Sequence, residues 1–318
     1  MRVSSFLASA LLIFLGSGCG SEADGRPPTR AQALGMSFVQ VQSGTFERGA
    51  PPNEPGRTGR EGPVHSVKIT RDYWIGQHEV TVGQFAAFVE ATGYVTEAER
   101  DPKGGWRFVR RNGTTEQSRE VNWRSPGYPQ APDHPVVQVS WVDAEAFCAW
   151  LSAEDGRKYR LPTEAEWEFA CRGETSSPYS FGADPSDLPL YANTADATLR
   201  PVFPAVNWNT DDSDGHAFTA PVGQFRENPR GLFDMHGNVW EWCADWHQDG
   251  YESADPRVDP TGPEEGRIRA IRGGGWYDPP ERCRSATRAW FEPVFRYCQL
   301  SGFRVVHEGD EDPSSTTD

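Results

Sequence analysis

A long segment without hydrophobic periodicity, residues 174–269, constrains the fold of this 318-residue chain more than any other feature. The segment is rich in Gly, Pro, Asn and Asp, and it contains Trp208, Trp240, Trp242 and Trp246. So long an irregular stretch within a domain is normally either disordered or fixed by specific contacts. The tryptophans favour the second alternative, because a buried indole ring fixes a loop through its large contact area. The sequence therefore predicts a loop-rich domain with a defined irregular backbone.

Regular elements are predicted mainly before this segment. Capping boxes indicate helices that begin at Thr81 and Thr163, and Ser140 can cap a helix over 141–153. Alternating apolar residues favour short strands over residues 36–46, 64–69 and 73–75. There is no internal repeat and no interior linker. One domain over residues 36–307 is therefore the simplest division of the chain.

The two ends of the chain differ in character from this domain. Residues 1–19 combine Arg2, a short apolar run and a small-residue region, which is typical of a bacterial lipoprotein signal with Cys19 lipidated. A plain secretory signal is the alternative. Residues 20–35 are predicted to be a flexible tether, and residues 308–318 an acidic disordered tail. The expected location is the bacterial cell envelope, through a lipid anchor, or else the periplasm or the exterior.

Charge and hydropathy exclude two classes of partner. The net charge of −15 argues against nucleic acid, because its phosphates would repel the protein. The mean hydropathy of −0.66 argues against a polytopic membrane protein. The membrane is therefore expected as a partner only through the lipid anchor.

Thiol chemistry is possible in principle but weakly supported. Of the six cysteines, Cys19 belongs to the signal, and the others are Cys148, Cys171, Cys243, Cys283 and Cys298. An odd number in an oxidising compartment leaves at least one thiol free or paired between chains. Cys283 follows the Gly-rich turn 273–275 and is the candidate for chemistry, with a structural role as the alternative. A single thiol cannot supply a two-thiolate copper(I) site.

Oxygen-bearing side chains within the irregular segment are candidate cation ligands. Asn193, Asp214, Asp234 and Glu241 lie in or beside predicted turns, where backbone carbonyls are also available. Calcium takes about six to eight oxygen ligands in flexible geometry, which suits loops. The run 211–215 is not an EF-hand loop, because no Glu follows at the final ligand position. Composition alone leaves a solvated acidic loop as the alternative.

Four segments occur together and in a characteristic order: Arg160–Arg172 (RLPTEAEWEFACR), Gly237–Trp246 (GNVWEWCADW), Arg272–Trp276 (RGGGW) and Ser301–Arg304 (SGFR). With the stretches 80–85 and 135–141, they resemble the sulfatase-modifying-factor family, that of the formylglycine-generating enzymes. The resemblance covers about residues 36–306. It implies an α+β fold, a variant of the C-type lectin fold with short strands, few helices and long loops.

The resemblance also implies two calcium sites and strengthens the calcium interpretation. In the family, side-chain oxygens and backbone carbonyls from two loops hold the ions. The corresponding residues of the first site are Asn193, Thr194, Asp214 and His216. Those of the second site are Asp234, Gly237, Val239 and Glu241.

The family's copper chemistry does not carry over as readily. Active members hold copper(I) with two cysteines that follow the Arg-Gly-Gly-Ser turn. Counted without gaps from Arg272, these positions are Asp278 and Cys283, whereas an alignment on 284–288 removes Cys283 as well. A carboxylate is a poor ligand for copper(I), so copper is not expected.

The disulfide positions of the family are altered too. Cys148 and Cys171 match half-cystines whose partner positions hold Val305 and Ser285. The resemblance therefore predicts a rewired Cys171–Cys283 bond, and it leaves Cys298 as a possible partner of Cys148.

The sequence favours a binding or accessory protein, with an enzyme as the alternative. An aromatic-rich C-terminal surface is expected to recognise an unknown protein, peptide or small molecule, and its residues are Trp276, Tyr277, Asp278, Trp290, Phe291 and Tyr297. The enzyme alternative is a formylglycine-generating oxidase that activates sulfatases, or another oxidative reaction on the same fold.

Overall fold

The computed structural model describes residues 28–250, 257–295 and 299–309. The described helices are α1 (Arg30–Ala33), α2 (Val82–Thr92), α3 (Glu97–Arg100), α4 (Trp141–Asp155) and α5 (Glu164–Arg172). The described strands are β1 (Phe38–Val41), β2 (Gly44–Arg48), β3 (His65–Ile69), β4 (Tyr73–Gly76), β5 (Gly105–Phe108), β6 (Thr115–Ser118), β7 (Tyr159–Arg160), β8 (Trp240–Trp246), β9 (Arg269–Arg272), β10 (Ala289–Phe291), β11 (Ser301–Gly302) and β12 (Val306–His307). The fold is therefore α+β with short strands, as predicted.

The strands form two four-stranded sheets, in which the strand order differs from the order in the chain, and two two-stranded antiparallel sheets. One sheet has the order β1-β4-β12-β7, and the other has the order β10-β9-β8-β11. The two-stranded sheets are β2-β3 and β5-β6. Strand β12 lies between β4 and β7, so the end of the described chain is inserted beside its beginning.

The predicted helix starts are confirmed. Thr81, Ser140 and Thr163 each accept a hydrogen bond from the backbone N–H of the third helical residue, whose side chain bonds back to the cap. These reciprocal contacts satisfy donors that the first turn of a helix leaves unpaired. Helix α5 is buried along its whole length, so it can position residues from several loops.

The expected tether is partly ordered. Residues 30–33 form α1, and the side chain of Asp155 accepts hydrogen bonds from the backbone N–H groups of Arg30 and Ala31. Within the segment predicted to be a flexible tether, residues 30–33 are therefore helical, because the Asp155 carboxylate of α4 binds the first turn of this helix. Cys19 and the signal segment lie outside the described residues. None of the described helices is long and apolar enough to cross a membrane.

The tryptophans divide the irregular segment into two parts. Trp240, Trp242 and Trp246 belong to β8, so the segment is regular there, contrary to expectation. Trp240 and Trp242 are fully buried, and their indole N–H groups donate to Asp278 and to the carbonyl of Val139. Between 174 and 239 the described chain contains no named strand, and its one helical element is the 3₁₀ helix Pro185–Leu190.

Candidate functional site

Asp278, which the ungapped alignment from Arg272 predicts to be at the first copper position, is a buried carboxylate with two partners. The indole N–H of Trp240 donates to Asp278 Oδ2 at 2.7 Å, and the Nε of Arg282 lies 3.0 Å from Asp278 Oδ1. Burial raises the pKa of Asp278, while Arg282 and the hydrogen bond from Trp240 oppose the shift. Asp278 is therefore already engaged on both oxygens by groups of the protein.

The thiol of Cys283 is sealed inside the protein. Its side chain is fully buried, and burial is the largest cause that raises its pKa well above the usual value. A Cβ atom on Gly274, where φ is +79°, would lie 2.5 Å from the sulfur of Cys283. The Gly-rich turn therefore packs directly against the thiol, and the glycine is required at this contact.

The predicted Cys171–Cys283 disulfide is wrong, because both thiols are free. They belong to different core clusters, and His236 lies between them. The sulfur of Cys171 lies 3.9 Å from the ring of His236, whose Nδ1 lies 2.8 Å from the carbonyl oxygen of Cys283. Cys171 instead lies 3.5 Å from the Oγ of Ser285, the partner position that the resemblance implied. Cys148 is also free, and Cys298 lies outside the described residues.

The expected aromatic surface is divided between interior and exterior. Trp276 is fully buried, and its indole N–H donates to the carbonyl of Gln299 at 3.0 Å. Tyr277 and Asp278 are buried as well. The ring of Tyr277 stacks on Phe108 with 4.1 Å between centroids. These three residues are therefore core positions and not surface contacts. Phe108 of β5 packs on Trp276 and Tyr277. Trp240 and Arg282 contact Asp278.

Trp290 and Phe291 remain partly exposed, on β10. They line a cavity of about 350 Å³ that we call the Trp290 pocket. Its other walls come from the loop between Gly56 and Glu61 and from the 3₁₀ helix Pro280–Arg282. Tyr297 lies outside the described residues. Among the described residues of the predicted aromatic surface, Trp290 and Phe291 are the ones with partly exposed side chains that a ligand in this pocket can reach.

The residues of the first predicted calcium site lie together. Both carboxylate oxygens of Asp214 accept backbone hydrogen bonds at 2.8 Å, one from Thr194 and one from His216. The side-chain Nδ2 of Asn193 donates to the carbonyl of Phe218, but its Oδ1 is buried without a hydrogen-bond partner. Burial raises the pKa of Asp214 to about 7.

The residues of the second predicted site adjoin the first. A Cβ atom on Gly237, where φ is +90°, would lie 2.3 Å from the carbonyl oxygen of Asn193, so the two loops touch. Asp234 accepts a hydrogen bond from the backbone of Gly223 with Oδ2, whereas its Oδ1 is buried without a partner. Burial raises the pKa of Asp234 to about 6. Val239 is fully buried beside them.

Glu241 differs from the other predicted ligands because a cation of the protein already neutralises it. Arg304 donates to both of its carboxylate oxygens at 2.6 Å, and Trp167 donates to Oε2 at 2.7 Å. The arginine comes from the Ser301–Arg304 motif and the tryptophan from α5. Two of the recognised motifs therefore meet at this carboxylate.

Sequence reasoning missed Glu79, which is buried in the same cluster. Its Oε1 accepts from Asn238 Nδ2 at 3.2 Å, and no donor reaches its Oε2, although a hydrogen bond from the protonated Glu79 carboxyl group would lower the pKa of Asp234. Burial raises the pKa of Glu79 well above the usual value, and the charges of Asp234 and Glu241 raise it further. No turn signal surrounds Glu79 in the sequence, so only the long-range contact reveals it.

We use the name oxygen cluster for the acceptors of the two adjoining predicted sites, namely Asn193 and Asp214 of the first site, Asp234 of the second, and Glu79 beside Asp234. Three of its oxygens are buried and without hydrogen-bond partners, which is costly unless something compensates them. In the described ranges, no three His, Cys, Asp or Glu side chains form a metal-binding group. The predicted sites rely largely on amide and carbonyl oxygens, which suits calcium better than a transition metal. The donor set of the oxygen cluster therefore fits calcium.

The fold and these motifs define a loop-rich α+β protein of the formylglycine-generating-enzyme type, a variant of the C-type lectin fold. The sulfatase-modifying factor enzyme 1-like domain matches residues 24–309. The chain therefore belongs to the sulfatase-modifying-factor (FGE-sulfatase) family. PvdO from Pseudomonas aeruginosa has a similar structure, with a TM-score of 0.70, 33% identity, and coverage of 86% of this chain and 94% of that chain.

Curated relatives include both an enzyme and a protein named as inactive. The formylglycine-generating enzyme of Thermomonospora curvata is 34% identical over 308 residues, which cover 89% of this chain and 95% of that protein. The inactive Cα-formylglycine-generating enzyme 2 of Bos taurus is 33% identical over 309 residues, which cover 87% and 90%. Because the two identities are nearly equal, similarity alone does not assign an activity.

Proposed function

We propose that this protein is a calcium-braced binding or accessory member of the family rather than an active copper oxidase. One observation carries the proposal: Asp278 stands at the first copper position and is engaged by Trp240 and Arg282. A hard carboxylate with both oxygens in use is a poor substitute for a copper(I) thiolate. Cys283 would then have no second thiolate beside it.

The calcium part of the proposal is supported by the oxygen cluster. Asn193 Oδ1, Asp234 Oδ1 and Glu79 Oε2 are buried acceptors that a cation would satisfy. A bound ion would also favour the ionised form of the nearby carboxyl groups. One ion would hold the loop at 193–216 and a second ion the adjoining loop at 234–241, which would brace the irregular half of the domain.

The location proposed for the protein is the bacterial cell envelope, through lipidation of Cys19. The support is the signal-like composition of residues 1–19. Intact mass spectrometry of the mature protein tests this: a diacylglycerol-modified N-terminus at Cys19 is expected, and an unmodified secreted product would contradict it. Cys19→Ser is the matched control.

The binding role is tested against the enzyme alternative, which the named formylglycine-generating relatives favour. The full chain is incubated with copper(I), oxygen and a peptide that contains Cys-x-Pro-x-Arg, and the peptide is analysed by mass spectrometry. We expect its cysteine to remain unmodified, while the Thermomonospora curvata enzyme converts it under the same conditions. Conversion to formylglycine by this chain would overturn the proposal.

A further inference from the structure

We propose that the Trp290 pocket binds a small ligand that carries a carboxylate or phosphate group beside an apolar or aromatic portion. This inference rests on the proposed binding function and specifies the ligand class at that site. The pocket volume of about 350 Å³ suits a small molecule or a single side chain of a peptide. Four of its lining residues are arginines, although the chain as a whole has a net charge of −15.

Two of the four arginines are structural. Arg284 donates to Glu61 with both terminal nitrogens and also pairs with Glu54. Arg288 donates to both carboxylate oxygens of Glu164. All three carboxylates are buried, and they compensate both guanidinium groups, Arg284 by two carboxylates and Arg288 by one. These two guanidinium groups do not offer a charge to a ligand.

Arg60 is available and is already oriented. Its guanidinium carbon lies 4.1 Å above the ring of Trp290, and His247 stacks on the same indole with 4.4 Å between centroids. The side chain of Arg60 is 44% exposed, and its Nε pairs with Asp249, which is 70% exposed. Such an exposed ion pair is weak. The terminal nitrogens of a guanidinium form a planar fork that matches a carboxylate or phosphate.

Arg282 supplies a second charge on another wall of the pocket. Its Nε pairs with the buried Asp278, while 53% of the side chain is exposed. The pair with Asp278 therefore fixes the Nε end of the Arg282 guanidinium, and the exposed part of the side chain faces solvent. A ligand anion between Arg60 and Arg282 would meet positive charge from both walls.

The aromatic residues of the pocket and the single acidic residue at its rim indicate what the rest of the ligand should be. Trp290 and Phe291 offer partly exposed aromatic surface, which favours an apolar or aromatic group. Glu281 is the opposing charge at the rim, but its side chain is exposed to water. Water and salt screen its repulsion, whereas a cationic ligand would be repelled by both exposed arginines.

Binding of small probes to the full chain tests this assignment. Phenylacetate and phenyl phosphate carry the two anionic groups, and benzyl alcohol and benzylamine have similar size without negative charge. Ligand-detected NMR titrations are expected to show binding of at least one anion, and at least tenfold weaker binding of the alcohol and the amine. The anion that binds distinguishes a carboxylate ligand from a phosphate ligand.

Arg60→Gln should weaken binding of that anion about tenfold or more. Arg200→Gln is the matched control, since Arg200 is 47% exposed and pairs with the exposed Asp211 outside this pocket. It should bind the anion as the unmodified chain does. Far-UV circular dichroism of both variants shows whether they fold.

The inference is overturned if neither anion binds, if benzyl alcohol binds as tightly, or if folded Arg60→Gln binds the anion normally. These outcomes reject the ligand class and leave the proposed binding function to be judged by the formylglycine assay. Conversion of the Cys-x-Pro-x-Arg peptide would instead reject the proposed function, whatever the probes show.

Discussion

Two buried charged regions of this protein solve the same electrostatic problem in opposite ways. In the arginine network, Glu164 and Glu168 are paired with Arg48, Arg172, Arg272 and Arg288. In the oxygen cluster, Glu79, Asn193 and Asp234 each have a buried oxygen without a hydrogen-bond partner, and Asp214 accepts from neutral backbone N–H groups. A buried negative charge is tolerated only when it is paired or neutralised. The first region contains its own cations, and the second does not contain enough of them.

The pKa values of the two regions express this difference. Burial alone would raise the pKa of Glu168, but attraction to Arg172, Arg272 and Arg48 lowers it to about 2. In the oxygen cluster, burial raises the pKa of Asp214 to about 7 and that of Asp234 to about 6. Only the second region would gain from an added cation, and this difference is the physical basis for the calcium that we propose there.

The arginine network should show the largest effect on stability. Glu168→Gln keeps the shape of the side chain but removes the charge opposite Arg172 and Arg272. Because it leaves buried guanidinium groups uncompensated, we expect a loss of about 3–5 kcal/mol in the free energy of unfolding. Urea denaturation measures this loss, and chelation of calcium should not change it.

Glu116→Gln is the control for this substitution, because the Arg107–Glu116 pair is 43% and 48% exposed. Its expected cost is below about 1 kcal/mol. A similarly small loss for Glu168→Gln would mean that the network does not depend on this carboxylate.

Removal of calcium should have the next largest effect, and only through the oxygen cluster. A ligand that binds the folded state at about 100 times its Kd stabilises that state by about 2.7 kcal/mol. Calorimetric melting with calcium and with EGTA measures the difference. Asn193→Ala and Asp234→Ala should reduce it, while Glu116→Gln retains it. An equal Tm with and without calcium in the unmodified chain would contradict the bracing.

The pH dependence of stability should differ between the calcium-free and the calcium-bound oxygen cluster. Without calcium, Asp214 and Asp234 titrate at about 7 and about 6 in the folded chain, whereas an unfolded Asp titrates near about 4. The folded state then binds more protons between these values, so stability falls as pH rises from about 4 to 7. The slope is at most about 1.4 kcal/mol per pH unit for each carboxyl.

Calcium should remove most of this slope, because the bound ion keeps both carboxyl groups ionised. Asp245 will leave a residual slope, since burial and the nearby charge of Glu164 raise its pKa to about 7 outside the cluster. Urea denaturation at several pH values, with calcium and with EGTA, measures both slopes. If stability depends on pH equally with calcium and with EGTA, then calcium does not bind at Asp214 and Asp234.

The sequence predicted what depends on local pattern. The helix starts at Thr81 and Thr163 follow from residues three positions apart, and the recognised motifs imply the fold. Sequence reasoning did not separate Trp276, which is buried, from Trp290, which is partly exposed. Both are aromatic residues near turns, and their environments depend on which distant segments cover them.

Long-range geometry explains the remaining errors in the same way. The Cys171–Cys283 pairing was inferred from proximity in an alignment, but the ring of His236 lies between the two residues. Glu79 is connected to the oxygen cluster by its hydrogen bond with Asn238, a residue 159 positions later in the chain. Neither the intervening ring nor the distant partner leaves a local signal in the sequence.

Glu79 and Glu241 give the sharpest test of the comparison, because they are the same residue type in one buried region, and the smallest expected effect is that of Glu79→Gln. Arg304 and Trp167 bond to Glu241, whereas Glu79 has one acceptor without a partner and a strongly raised pKa. Glutamine imitates a protonated glutamate. In EGTA at pH 6, Glu79→Gln should therefore change the free energy of unfolding by less than about 1 kcal/mol.

The same substitution at Glu241 should cost about 3–5 kcal/mol, because it leaves Arg304 buried without its counter-charge. When calcium is added, Glu79→Gln should also gain less stability than the unmodified chain, since an oxygen that faces the cation has been replaced. Equal costs for the two variants in EGTA would show that Glu79 is ionised and compensated by the chain itself. Glu79 would then belong with the arginine network, and the argument for an external cation would rest on Asn193, Asp214 and Asp234 alone.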